Sequence, residues 1–118
     1  MTKILIVDDA EFLRVRITKM LEGDGYHVFE ADNGLKAVAA YKEVHPDVVL
    51  MDVTMPEMDG LAALKEIRGF DTKAQVVMLT ALGQESVVLE AVKSGARDFI
   101  VKPFERERVM NAIQKLVG

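Results

Sequence analysis

Five short apolar runs rich in β-branched residues, at 3–7, 28–31, 48–51, 76–79 and 99–101, alternate with five longer stretches of helical period. After the first run, Leu13, Ile17, Met20 and Leu21 fall at i, i+4, i+7 and i+8, one face of a helix closed by Gly23 and Gly25. Asp32-Asn33-Gly34 could form a hairpin turn, but Ala37, Val38, Tyr41 and Val44 follow with a period of 3.6 rather than 2, which predicts a helix there. The third run ends abruptly at Asp52, and a loop marked by Pro56 and Gly60 leads into a helix carrying Leu61, Leu64 and Ile67. Thr80 ends the fourth run. A helix over about 84–94 is then predicted to turn Val87, Val88, Ala91 and Val92 inward and to stop at Gly95. Lys102-Pro103 follows the fifth run directly, and the last helix collects Val109, Ala112, Ile113, Leu116 and Val117 on one face.

Strict alternation of strand and helix predicts a single (βα)5 domain over residues 1–118, an α/β fold with an all-parallel sheet and helices on both faces. The continuously apolar third and fourth runs agree, because a parallel strand is covered on both sides. In such a sheet all strand C-termini share one edge, where ligands of open α/β sheets collect. Composition adds bounds. The 118 residues, half of them apolar, suffice for one core and not for two ordinary domains. Charged residues make up 29% with both signs interspersed and a net charge of −4, so no basic surface for direct nucleic-acid binding is expected. With no cysteine there is neither a disulfide framework nor a thiolate metal site. No apolar stretch reaches the length of a signal-peptide core or a membrane span, so membrane insertion is not expected and a cytoplasmic location is.

Four segments aim polar groups at the predicted edge: Asp8-Asp9 after the first strand, Asp52 after the third, Thr80 after the fourth and Lys102 after the fifth. Singly, each has an ordinary explanation as a helix cap, a turn residue or a solvated lysine. Together, three carboxylates meeting at one place repel one another unless a cation neutralises them. Oxygen ligands without His or Cys suit a hard cation, and a site with room for water suits Mg²⁺, with Mn²⁺ as a substitute, better than an enclosed Ca²⁺. A divalent ion beside a carboxylate, a lysine and a hydroxyl is the set that phosphoryl transfer needs, with Asp52 as the nucleophile.

Ile6-Val7-Asp8-Asp9, Met51-Asp52-Val53-Thr54-Met55-Pro56-Glu57-Met58-Asp59-Gly60, Thr80-Ala81 and Val101-Lys102-Pro103-Phe104, in this order and on these elements, resemble the response-regulator receiver family. The resemblance covers essentially the whole chain. It implies a flavodoxin-like, doubly wound sheet of strand order 2-1-3-4-5. It also implies that Asp52 accepts a phosphoryl group from a sensor histidine kinase, that Lys102 pairs with a phosphoryl oxygen, and that Thr80 donates its hydroxyl to another. Asp9 and Asp52 would hold Mg²⁺ directly with the backbone carbonyl of Thr54, and Asp8 would act mainly through a metal-bound water. Phe99 occupies the aromatic switch position, and a cis bond is implied between Lys102 and Pro103. On this reading Thr80 moves toward the phosphoryl group and Phe99 rotates inward, altering the surface of helix four, strand five and helix five. The protein would then be no enzyme acting on external substrates, catalysing only its own phosphorylation and dephosphorylation.

Ala81-Leu82-Gly83-Gln84 and the segment 95–104 look most like single-domain chemotaxis regulators. The expected partners are therefore a flagellar motor switch protein or an adaptor, and a phosphatase, around a protein that is itself a monomer. A relay intermediate serving a histidine phosphotransfer protein would use the same site, as would the receiver of a longer regulator. Phe99 stands where many chemotaxis regulators have Tyr, so a contact through that hydroxyl is lost. Thr54 and Leu82 occupy positions that tune hydrolysis, and apolar Leu82 is expected to obstruct the attacking water or, alternatively, to cover part of the core. Phosphatases of the haloacid-dehalogenase type need a second acid where Thr54 stands. A flavin-mononucleotide binder needs a Ser/Thr/Gly-rich loop after the first strand, and Asp8-Asp9-Ala10-Glu11 would repel its phosphate.

Overall fold

A computed structural model describes residues 1–117. Its elements alternate as the pattern of apolar positions requires: β1 (Lys3–Val7), α1 (Glu11–Gly23), β2 (His27–Ala31), α2 (Gly34–Val44), β3 (Val48–Asp52), α3 (Gly60–Phe70), β4 (Val76–Thr80), α4 (Glu85–Lys93), β5 (Asp98–Val101) and α5 (Arg106–Val117). All strand pairs are parallel and the sheet order is β2-β1-β3-β4-β5. Strands β2, β3, β4 and β5 each run one residue beyond the apolar run that marks them, because the ladder is closed by backbone groups and is indifferent to the polar side chains of His27, Asp52, Thr80 and Asp98.

Period-2 alternation splits the central strands between two cores. Leu5, Val7, Val49, Met51, Val76 and Met78 pack under α2, α3 and α4 with Tyr41, Leu64 and Ile67. Ile4, Ile6, Val48, Leu50, Val77 and Leu79 pack under α1 and α5 with Leu21, Val109 and Ile113. Asn33-Gly34 is no hairpin: the Asn33 side chain accepts the Lys36 N–H at 2.9 Å and caps α2.

Helix α4 departs from expectation. Ala91 is its one fully buried residue among those described, Val87 and Val88 are half-buried, and Val92, predicted to face inward, is exposed, as is Leu89. The helix lies over β4 near the sheet edge, where the short β5 offers only Ile100 as a fully buried side chain, so there is little apolar surface to hold a second inward row. Sparse packing of this kind marks the least stable part of a fold.

Strand register positions the site. Val7 lies opposite Met51, Asp52 opposite Leu79 and Thr80 opposite Val101. The residues that leave β1, β3, β4 and β5 therefore emerge side by side at one edge.

Candidate functional site

At that edge Asp8, Asp9 and Asp52 each offer a carboxylate oxygen within 4.8 Å of the others. The Lys102 Nζ donates to Asp52 Oδ1 at 2.9 Å and to Asp8 Oδ2 at 3.2 Å. Three carboxylates against one ammonium leave two negative charges uncompensated, the charge that a divalent cation supplies. The donor set consists of oxygens alone, so the residues fit a hard ion such as Mg²⁺.

The two acids after β1 have different surroundings. Asp8 is fully buried, and both its oxygens are engaged, Oδ1 by the Ala10 N–H at 2.8 Å and Oδ2 by Lys102. Asp9 is exposed, and among the described residues no donor occupies its carboxylate. Asp9 is thus the acid free to bind an ion directly, whereas Asp8 is tied to the protein. On Asp52, Oδ1 accepts from both Lys102 and the Val53 N–H at 3.0 Å, while Oδ2 carries no protein donor among the described residues.

Burial pushes the Asp52 carboxyl above its ordinary value, and the hydrogen bond and charge of Lys102 offset this only in part, because the neighbouring Asp8 acts in the same direction as burial. Burial also works against the Lys102 cation. There the hydrogen bond to Asp52 and the charges of Asp52 and Asp8 prevail and hold the ammonium above its ordinary pKa, so Lys102 is a permanent charge at neutral pH.

Thr80 is buried at the end of β4, and its carbonyl accepts the Lys102 N–H at 2.7 Å. Among the described residues no hydrogen bond joins the Thr80 side chain to Asp52. Thr54 is exposed on the β3–α3 loop. The Lys102-Pro103 bond is cis, as the resemblance implies. Phe99 stands apart from the acids, 39% exposed, in a groove of about 410 Å³ that it shares with Thr80, Leu82, Val88 and Val92. Leu82 is 80% exposed on the lip of this groove, so it does not cover the core.

Three further residues shape the site without having been singled out for it. Arg14 donates to the Asp8 carbonyl at 2.7 Å while paired with Glu30 at 2.8 Å, which ties β1's acidic end to α1 and β2. The Gln84 side chain accepts from the Ala81 N–H at 2.7 Å and donates to Thr54 Oγ1 at 3.4 Å. Gly60 brings its N–H to the Val53 carbonyl at 2.7 Å, so close that a Cβ there would overlap the Asp52 carbonyl. Gly60 was legible as a turn signal, but Arg14 also pairs with Glu30, 16 positions away, and Gln84 with Thr54, 30 positions away, and no local pattern marks these two contacts.

Residues 4–114 match the model of the response regulator receiver domain, and the chain belongs to that family. Within it, the chain is closely related to chemotaxis regulators. It is 54% identical over 117 residues to chemotaxis protein CheY of Bacillus subtilis, covering 98% of each chain. With CheY of Thermotoga maritima it shares 50% identity over 115 residues, covering 97% of this chain and 96% of the other. The solved CheX-CheY-BeF3-Mg²⁺ complex of Borrelia burgdorferi superposes with a TM-score of 0.92 at 37% identity, covering 99% of this chain and 90% of that one. A response regulator receiver domain protein of Clostridium thermocellum gives 0.95 at 29% identity, covering 99% and 94%.

Proposed function

We propose that this chain is the phosphoryl-accepting switch of a chemotaxis pathway, charged at Asp52 by a sensor histidine kinase in the cytoplasm. The single observation that carries the reading is the convergence of Asp8, Asp9 and Asp52 on one edge with the Lys102 ammonium against two of them. Asp9 and Asp52 would hold Mg²⁺ together with the Thr54 carbonyl, and Asp8, engaged by Lys102 and Ala10, would act through water. When bound, the ion neutralises charge on the transferring phosphoryl oxygens. Asp52 Oδ2, free of protein donors, forms the new O–P bond as the N–P bond of the donor phosphohistidine breaks and the imidazole takes up a proton. Lys102 then follows its charge to a phosphoryl oxygen.

The product carries about −1.5 to −2 charges and new acceptor oxygens, enough to favour a second arrangement of the loop after β4. Thr80 turns its hydroxyl toward them, the space it leaves admits Phe99, and the α4–β5–α5 surface changes for a partner to read. The partial exposure of Phe99 supports an outward position for it before that change. Water returns the switch by cleaving the acyl phosphate to inorganic phosphate, so the protein's catalysis is confined to its own phosphorylation and dephosphorylation. The partners are the kinase, a flagellar motor switch protein or adaptor, and a phosphatase. The complex of the Borrelia burgdorferi relative with CheX, BeF3 and Mg²⁺ supports a site that takes magnesium and a surface that takes a protein partner. Relay to a histidine phosphotransfer protein uses the same chemistry.

Incubation with a small acyl-phosphate donor, with and without Mg²⁺, followed by intact-mass measurement tests the reading. Wild type should gain one phosphoryl group only with Mg²⁺ and Asp52→Asn none; labelling of the variant, or labelling of wild type without metal, would overturn it.

A further inference from the structure

Gln84 immediately precedes α4, at the position from which a side chain would cap the helix, and it makes no cap. Its carboxamide turns back instead. Oε1 takes the N–H of Ala81, the first amide after Thr80, at 2.7 Å, and Nε2 reaches Thr54 Oγ1 at 3.4 Å. Gly83, with φ +89, permits the tight return of the chain that this requires. One side chain thereby closes the loop after β4 on itself and joins it to the loop that follows Asp52.

We infer that Gln84 is a latch that holds the β4–α4 loop in its unphosphorylated arrangement, making it a positioning residue for the switch. The inference rests on the proposed function, since it concerns the loop that must follow the phosphoryl group. Thr80 cannot travel toward Asp52 without displacing Ala81, its chain neighbour, and Ala81 is held by a group anchored at the start of α4 and against Thr54. The contacts exist in one state and are given up in the other, so they contribute to the equilibrium between the two. Beyond Thr80, the rest of the loop is weakly held: Ala81, Leu82 and Gly83 are exposed, and α4 buries only Ala91 among the described residues. The latch is therefore a large part of what resists the movement.

Removing the carboxamide leaves the Ala81 N–H to water, at no cost to the core, and raises the population of the switched state. Apparent affinity for any ligand of that state rises in proportion. Beryllofluoride with Mg²⁺, which stands in for the phosphoryl group, should bind Gln84→Ala and Gln84→Met about five-fold more tightly than wild type, the effect of one net hydrogen bond. Gln84→Met keeps the length and volume of the side chain while losing both polar contacts, and Thr54→Val, which removes only the weaker contact, should give a smaller rise. Two measurements without metal or ligand accompany the titration. Exchange of the Ala81 amide should be slow in wild type and faster in both Gln84 variants, and the thermal midpoints of both variants should fall by no more than the few degrees that one net hydrogen bond is worth.

Unchanged or weaker beryllofluoride binding in Gln84→Met, with a deprotected Ala81 amide, would overturn the latch. An amide equally protected in all three proteins would overturn it as well, because the hydrogen bond would not exist in solution. Wild type that binds no beryllofluoride at any magnesium concentration would instead overturn the proposed function, and the latch with it.

Discussion

Replacing Gly60 with alanine would drive a methyl group into the backbone that carries Asp52. The added Cβ would overlap the Asp52 carbonyl oxygen and lie 2.9 Å from the Asp52 carbonyl carbon and 3.0 Å from Val53 Cα. Carbon atoms in contact sit about 3.5–4.0 Å apart, so a gap of at least about 0.5 Å must open between two backbone segments. Neither can yield easily. Asp52 is locked into β3 between β1 and β4, and Gly60 begins α3, whose Ala63, Leu64 and Ile67 are buried. Overpacking against a core costs about 1–3 kcal/mol, and contact with backbone on both sides places this case at the upper end. For a domain of this size that lowers the thermal midpoint by roughly 10 °C. The displacement also carries Asp52 away from Lys102, and misplacing a reacting group by a fraction of an ångström to 1 Å slows chemistry by up to about 100-fold. Urea melts of metal-free protein and initial rates of acyl-phosphate labelling measure the two effects. Gly69→Ala is the control, since a Cβ there meets nothing within 4 Å and the same helix gains up to about 1 kcal/mol from the better propensity. A Gly60→Ala protein within about 0.5 kcal/mol of wild type that labels at the normal rate would refute the claim that this close approach positions Asp52.

Burial raises the Asp52 carboxyl above the ordinary 3.8, so the folded state holds that proton more tightly than the unfolded state does and stability falls as pH rises from about 4 through the raised value. Metal-free Asp52→Asn should therefore be more stable than wild type at pH 7, with the gap closing as pH falls through the raised value towards 4; a gap that widens on acidification contradicts this. Mg²⁺ should raise the melting temperature of wild type and do so far less for Asp52→Asn, as a magnesium titration followed by thermal melts would check. Lys102→Met removes the cation from between Asp8 and Asp52 and should slow acyl-phosphate labelling by about 100-fold, as loss of a preorganised charge-stabilising donor does; labelling at the wild-type rate would show that Lys102 does not reach the transferring group. Leu82, apolar and exposed at the lip of the groove, is expected to hinder water once the loop closes. Leu82→Glu should shorten the lifetime of the acyl phosphate, and an unchanged decay of the labelled mass would argue otherwise.

Much of the architecture could be read from residue order alone, because a strand buried on both faces and a helix buried on one leave different periods. The runs around Leu50 and Val77 are apolar without interruption, while Ala37, Val38, Tyr41 and Val44 return at helical spacing, and each pattern has one physical solution. The same logic found Asp8, Asp9, Asp52, Thr80 and Lys102, since a polar residue that ends an apolar strand of a parallel sheet emerges at the ligand-binding edge wherever its strand lies. Boundaries were less legible: His27, Asp52, Thr80 and Asp98 belong to strands through their backbones, to which side-chain polarity is a poor guide. Val92 was misplaced because helical period identifies an apolar face without saying whether the sheet beneath is wide enough to cover it.

Element order, the two-sided burial of the central strands and the set of acids, threonine and lysine at the strand ends are all written in residue order, because they follow from periodicity and chain polarity. Three-dimensional packing sets which oxygen of Asp52 is free, why Asp8 and Asp9 differ in their availability to an ion, and that Gln84 spans two loops around the site. Such facts depend on strand register and on contacts between residues 30 to 94 positions apart, and interactions of that range leave no periodic trace in the chain.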